Sequence, residues 1–158
     1  MSFYAKVKDI QDHLLKCTCK KVFIVSDFEN VNELLQFSPS VWITPYGARR
    51  LDDKRYKDCG AIFRCQFVLS VAYYCPTPTF GGVVDRSDCE DALCGPLIEA
   101  DKCLCEVIEC MEQFNCEKNQ GFKGIFDTMN LKEYFKPICR DGCIILRTLW
   151  ERDTQVCF

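Results

Sequence analysis

The residues best suited to chemistry in this chain of 158 are its fourteen cysteines. They are Cys17, Cys19, Cys59, Cys65, Cys75, Cys89, Cys94, Cys103, Cys105, Cys110, Cys116, Cys139, Cys143 and Cys157. Three chemistries fit that number. A secreted disulfide scaffold is one, although such scaffolds are short and poor in helix and core. Zinc or iron–sulfur binding is the second. The spacing is poor for it: the chain has no CxxC, its close pairs are Cys17-x-Cys19 and Cys103-x-Cys105, and Cys139 and Cys143 stand four apart. Structural zinc sites use tighter hooks, and only His13 is present to add an imidazole. In the third reading most cysteines serve as small hydrophobes. Cys65 fits this best, and several others become surface thiols that can form disulfides within or between subunits after release from a reducing cell.

Other reactive constellations are missing. With one histidine, a His-based triad or metal centre has too few parts, and His13 beside an apolar helix stripe reads as structural or exposed. No Gly-x-Ser-x-Gly occurs. Asp52 and Asp53 are adjacent and diverge in a strand, whereas Asp88 and Asp91 sit at a possible helix start, where capping accounts for them. A cysteine nucleophile needs a neighbouring base, which spacing alone does not supply. Gly81-Gly82 lacks the surrounding pattern of a phosphate cradle and reads as a turn. The sequence therefore predicts a non-enzyme without cofactor or metal.

Composition sets the class. Apolar residues make up 48%, which predicts a packed core in one domain spanning 1–158. The formal charge of −3 disfavours a general nucleic-acid binder. The charge is uneven: residues 1–58 carry ten Lys or Arg against eight acids, and residues 59–158 carry ten against fifteen. No early apolar run resembles a signal peptide, and no run of eighteen apolar residues is long enough to span a bilayer. The expectation is a soluble chain made in the cytoplasm, with no membrane partner.

The elements that must position these groups follow from periodicity. The longest signal is 61–74, AIFRCQFVLSVAYY. Phe63, Cys65, Phe67, Leu69, Val71 and Tyr73 alternate with Ile62, Arg64, Gln66, Val68, Ser70 and Ala72, giving one apolar face and one mixed face. A strand of that length spans roughly 46 Å, so one end is expected to bend or project. Residues 2–16 read as an amphipathic helix with Phe3, Val7, Ile10 and Leu14 inward. A turn is expected over 17–21 and a strand over 22–25. Ser26 and Glu29 suggest a capping box before a short helix over 29–36. The strand at 41–44 should be limited by Pro45, or Pro45 marks an edge of the sheet. Residues 47–58 read as a charged connection, and 75–88 as an irregular loop with Pro76, Pro78 and the Gly-Gly pair. Ser87 and Glu90 again have capping-box spacing. Gly95 should break that turn, and Pro96 should open a helix over 96–114 whose stripe runs from Leu97 to Phe114. A strand is expected over 122–126, whereas 128–137 is ambiguous. Asp141-Gly142 signals a turn into a final strand through Trp150, followed by a short tail. The economical fold is α+β: a single mixed or mostly antiparallel sheet covered by an N-terminal helix and a long central helix.

Two surfaces then suggest assembly. Arg49, Arg50, Lys54, Arg55 and Lys57 gather in the charged connection, and Glu106, Glu109 and Glu112 lie on the outward side of the long helix. A basic patch on one subunit can meet an acidic patch on the next in a head-to-tail contact that closes into a ring.

This layout resembles the tail terminator and related tail-completion proteins of tailed bacteriophages. The resemblance runs over nearly the full chain. It is carried by the opening helix FYAKVKDIQDHLL, the proline-bearing strand VWITPYG, the charged segment before AIFRCQFVLSVAYY, the helix PLIEADKCLCEVIECMEQF and the closing strand CIILRTLW. None of these is a signature motif, and no residue role transfers from the family. The cysteine content departs from its pattern. The resemblance implies a virion protein at the head-proximal end of the tail, assembled as a hexameric ring. One face would mate with the tail-tube protein and the other with a neck or connector protein, while DNA passes through the lumen without specific binding. Two other readings stay open: a small cysteine-rich metal-binding or redox protein, and a non-enzymatic protein-binding adaptor.

Overall fold

A computed structural model describes residues 7–26, 37–51, 61–74, 94–118, 127–140 and 143–156. In chain order these form α1 (Val7–Thr18), β1 (Lys21–Ile24), β2 (Ser40–Leu51), β3 (Ala61–Tyr74), α2 (Cys94–Lys118), β4 (Met129–Tyr134), β5 (Ile138–Arg140) and β6 (Cys143–Val156). The fold is α+β. One mixed sheet has the order β1-β2-β3-β6-β4, and β5 also pairs with β6. β1 runs parallel to β2, and every other pair is antiparallel.

The sheet is built on β3. Its fourteen residues pair along their whole length with β6, from Ala61↔Val156 to Tyr74↔Cys143. The alternation read from sequence is realised. Cys65, Phe67, Leu69 and Val71 are buried in the main core, with Phe63 and Tyr73 packed at its margin. Both helices lie on this face, α1 against β1 and β2, α2 against β3, β6 and β4, and the two helices against each other. α1 contributes Val7, Ile10 and Leu14, spaced three and four apart and buried. α2 contributes Ala100, Leu104, Val107, Met111 and Phe114. Burial of these side chains away from water is the main stabilising term, at about 1.5–3 kcal/mol each for the larger ones.

The opposite face is not simply polar. Trp42, Ala72, Cys143 and Ile145 form a second, smaller core with Val25. Trp42 has no exposed surface, and its indole N–H donates to Ser40 Oγ at 2.9 Å. The mixed face of β3 is thus buried from Val68 to Ala72 and carries Arg64 and Gln66 nearer the Ala61 end, with Ile62 buried beyond them.

Several expectations shift. α1 continues through residue 17 to Thr18, whose hydroxyl donates back to Leu14 O at 2.7 Å, so the expected turn over 17–21 is shorter. α2 opens at Cys94, ahead of Pro96, and runs four residues past Phe114. Gly95 therefore lies inside the helix instead of ending a turn before it. β2 does not stop at Pro45. It runs to Leu51, with a bulge between Pro45 and Gly47. Pro45 is tolerated because β1 pairs only with Ser40–Ile43, so no described strand lies on the outer side of β2 there. The ambiguous stretch 128–137 is strand β4 followed by a break at Phe135–Pro137. The Phe135 N–H still donates to Arg147 O, at 3.0 Å, so β4 and β5 line the same edge of β6. The expected short tail after Trp150 is, as far as Val156, a continuation of β6. The turn signal at 141–142 falls between Arg140 and Cys143, which pair directly. The helix over 29–36 with its cap, the loop over 75–88, the Ser87–Glu90 spacing and the strand over 122–126 lie outside the described residues.

Candidate functional site: the uncovered end of the sheet and the outer face of the long helix

The bulge in β2 decides where the basic residues go. Ahead of it, Val41 and Ile43 face the helices. One extra residue, Tyr46, inverts the alternation, so Arg49 pairs with Arg64 on the face away from the helices, and Arg50 pairs with Phe63 on the helix side. Both arginines are exposed. Tyr46 stands 70% exposed, and a side chain placed on Gly47 would meet nothing within 4 Å. Lys54, Arg55 and Lys57 lie outside the described residues. The five residues from Gly47 to Leu51 are therefore strand and not the connecting loop expected from their charge.

An ionic ladder crosses the sheet beside Arg49. Arg64 Nε and Nη2 donate to the two carboxylate oxygens of Asp153 at 2.9 and 3.2 Å, and Arg64 Nε lies 3.6 Å from Glu151. Gln66 Nε2 donates to Glu151 Oε1 at 3.2 Å. The bidentate bond to Asp153 and then its charge hold the Arg64 guanidinium above its ordinary pKa; burial opposes them, and the charge of Glu151 adds least. Arg49 and Arg64 directly opposite each other would repel, and Asp153 and Glu151 offset that repulsion. The next positions on this face are Ile62, Val68 and Leu149. The ladder thus has charge and geometry but no nucleophile. Nothing in the sequence signalled it, because Arg64 and Asp153 meet only once the β3–β6 register is known.

The acidic members sit on another surface. Asp101, Glu109 and Glu112 are exposed along the outer stripe of α2, with Cys105 between Asp101 and Glu109 and Cys116 one turn beyond Glu112. Burial first, then Asp101 and Glu109, push the Cys105 thiol above its ordinary pKa. Glu106 is different: although exposed, it is ion-paired to Lys20 beyond the end of α1. α1 packs on β1 and β2 and α2 on β3, β6 and β4, and among the described residues no ion pair joins Arg49 or Arg50 to Asp101, Glu106, Glu109 or Glu112.

A groove of about 160 Å³ opens beside the bulge, between Val7, Tyr46, Ala48, Cys65 and Phe67. It is smaller than the roughly 300–1,000 Å³ typical of ligand pockets. Cys65 is a buried thiol, and among the described residues that line the groove none is a histidine or a carboxylate. His13 is structural, with Nε2 2.8 Å from Cys110 O and its ring edge-on to Phe114. Cys17 and Cys110 form a disulfide between α1 and α2, which fourteen cysteines without a spacing rule do not disclose in sequence. Among the described residues no group of three or more His, Cys, Asp or Glu could hold a metal ion, and no helix is long and apolar enough to cross a membrane. The chain matches no family model and no curated protein.

Proposed function

We propose that this chain is a structural assembly protein that forms a ring, ends the tail tube of a phage virion and joins it to the neck or head. The tail-terminator part rests on the resemblance in element layout. Self-association is supported by one observation: β2 extends past β1, leaving Pro45–Leu51 with an outer edge that no described strand pairs and with two exposed arginines. Soluble proteins cover or charge such edges because they template pairing with other chains.

On this reading the basic end of β2 meets the α2 stripe of the next subunit. The two surfaces are distinct on one chain, as a heterologous, ring-closing contact requires. Lys20 already holds Glu106, so Asp101, Glu109 and Glu112 are the carboxylates presented to a neighbour. The mechanism is steric and adhesive. One ring face mates with the last turn of tube subunits and the other with a connector protein. Repeated weak contacts around the axis add up to tight capping. DNA passes through the lumen without specific binding.

The test is absolute mass by light scattering after size exclusion, followed by electron microscopy of purified tail tubes mixed with the protein. The expected species is near six times 18.3 kDa, persists under reductant and sits at one tube end. A monomer that leaves tubes uncapped overturns the proposal in favour of a binding adaptor. A monomer carrying stoichiometric metal overturns it in favour of a cysteine-based metal site.

A further inference from the structure

The Cys17–Cys110 bond joins positions 93 residues apart, and both helices are also seated by packing. α1 is fixed by Val7, Ile10 and Leu14, and α2 by Leu104, Val107, Met111 and Phe114, all buried in the main core. Two non-covalent ties flank the bridge. His13 Nε2 contacts Cys110 O at 2.8 Å one turn before Cys17, and Lys20 pairs with Glu106 just after it. With the bond formed the Cα separation is 5.9 Å, within the range that a disulfide spans.

We propose that Cys17 and Cys110 are a reversible thiol–disulfide site that latches the C-terminal end of α1 onto α2 after the fold has formed. The reduced state is also provided for. Gln113 Oε1 lies 3.4 Å from Cys17 Sγ and is placed to accept the hydrogen bond of a Cys17 thiol. Cys110 is 3% exposed in an apolar surround, where a thiol behaves as a small hydrophobe. Accessibility sets the order of events. Cys17 is only partly buried, so it is the thiol that meets a small-molecule disulfide such as oxidised glutathione. The Cys17 thiolate attacks one sulfur of that disulfide and expels one thiolate. The Cys110 thiolate then attacks Cys17 Sγ of the mixed disulfide and expels the second. The two cysteine thiols lose two electrons, the small disulfide is reduced to two thiols, and the two cysteine protons end on them.

Two neighbouring thiols compete poorly. Cys103 stands two helical turns before Cys110, and burial pushes its pKa up, with Lys20 drawing it back less strongly. Cys105 is raised as well and points to the outer stripe of α2. Both hold less thiolate at neutral pH than an ordinary cysteine, so exchange falls to the pair brought together by packing.

The test compares the full chain kept in a phosphine reductant with the same chain equilibrated with oxidised glutathione. Peptide mapping should find Cys17 linked to Cys110 only after oxidation. Far-UV circular dichroism should be unchanged between the two states. Hydrogen exchange in residues 11–18 should quicken on the order of tenfold on reduction, as expected when a local opening is released. Cys17→Ser should behave like the reduced chain, and Cys19→Ser like the wild type. Loss of helix signal on reduction overturns the proposal, because the bond is then a condition of folding. Unchanged exchange in α1 overturns the latch, and linkage of Cys17 to Cys103 or Cys19 overturns the assignment.

Discussion

Thr148 and Ser70 are buried hydroxyl residues on neighbouring strands, and they should respond to mutation in opposite directions. Thr148 Oγ1 donates to Leu69 O at 2.9 Å and accepts from Trp150 Nε1 at 2.8 Å, so its removal leaves a buried indole N–H without an acceptor. Ser70 is 1% exposed on the other face, and its Oγ has no hydrogen-bond partner. The indole of Trp42, directly across from it in the register, turns instead to Ser40. An unsatisfied buried hydroxyl carries a desolvation cost with no return. Ser70→Ala should raise the urea midpoint, by about 1 kcal/mol in stability, and Thr148→Val should lower stability by about 2 kcal/mol. A destabilised Ser70→Ala protein would show that the hydroxyl has found a partner, such as an ordered water. Nothing in the sequence separates these two residues. Each is a small hydroxyl within an apolar strand, and only register and the placement of the two tryptophans tell them apart.

Among the elements, β6 shows where sequence reading works and where it stops. The alternation through Trp150 marks a strand because apolar residues repeat every second position. The segment after it reads as a tail because Glu151, Arg152 and Asp153 break the apolar pattern. In the fold Arg152 is 1% exposed and faces the helices, where Asp9 on α1 takes a bidentate pair at 3.0 and 2.8 Å and Phe114 on α2 lies under the guanidinium at 5.3 Å. Asp127, just before β4, approaches Arg152 Nε at 3.6 Å and accepts from Thr154 at 3.1 Å. A partner 143 positions away leaves no local trace. The length of β2 was only partly legible: Pro45 reads as a stop or as an edge, and β2 runs on through it as an edge to Leu51. β3, α1 and α2 were legible because each carries its own period over many residues. Since Arg152 ties both helices to the sheet, Arg152→Met should destabilise the protein by about 3 kcal/mol, because it strands two carboxylates at a partly buried site. Combining it with Asp9→Asn should cost less than the sum of the two single changes, as coupled partners do. Strict additivity in paired urea melts would show that Asp9 and Arg152 do not act together.

At the scale of the molecule the decisive feature is that the basic end of β2 and the acidic stripe of α2 lie on one chain but apart. That arrangement permits a designed pair of incompatible subunits. In the first, Arg49→Glu and Arg50→Glu make the β2 end acidic, so it repels the acidic stripe of an identical copy. In the second, Glu109→Lys and Glu112→Lys make the stripe basic, so it repels the basic β2 end of its own kind. Each protein alone should be monomeric by light scattering while keeping the wild-type circular dichroism, because all four residues are exposed. Mixed in equal amounts, each contact again joins opposite charges, and the subunits can only alternate. A closed ring of six accepts alternation because its count is even. Symmetric pairing would satisfy the same charges in a dimer, so the mass of the mixture separates the two geometries. Restoration near six times 18.3 kDa supports the head-to-tail ring, and a species near twice 18.3 kDa favours two-fold pairing. Because the groups are solvent-exposed and screening shortens to about 3 Å in molar salt, the restored species should weaken as ionic strength rises. Assembly of either mutant alone would show that these charges do not form the contact.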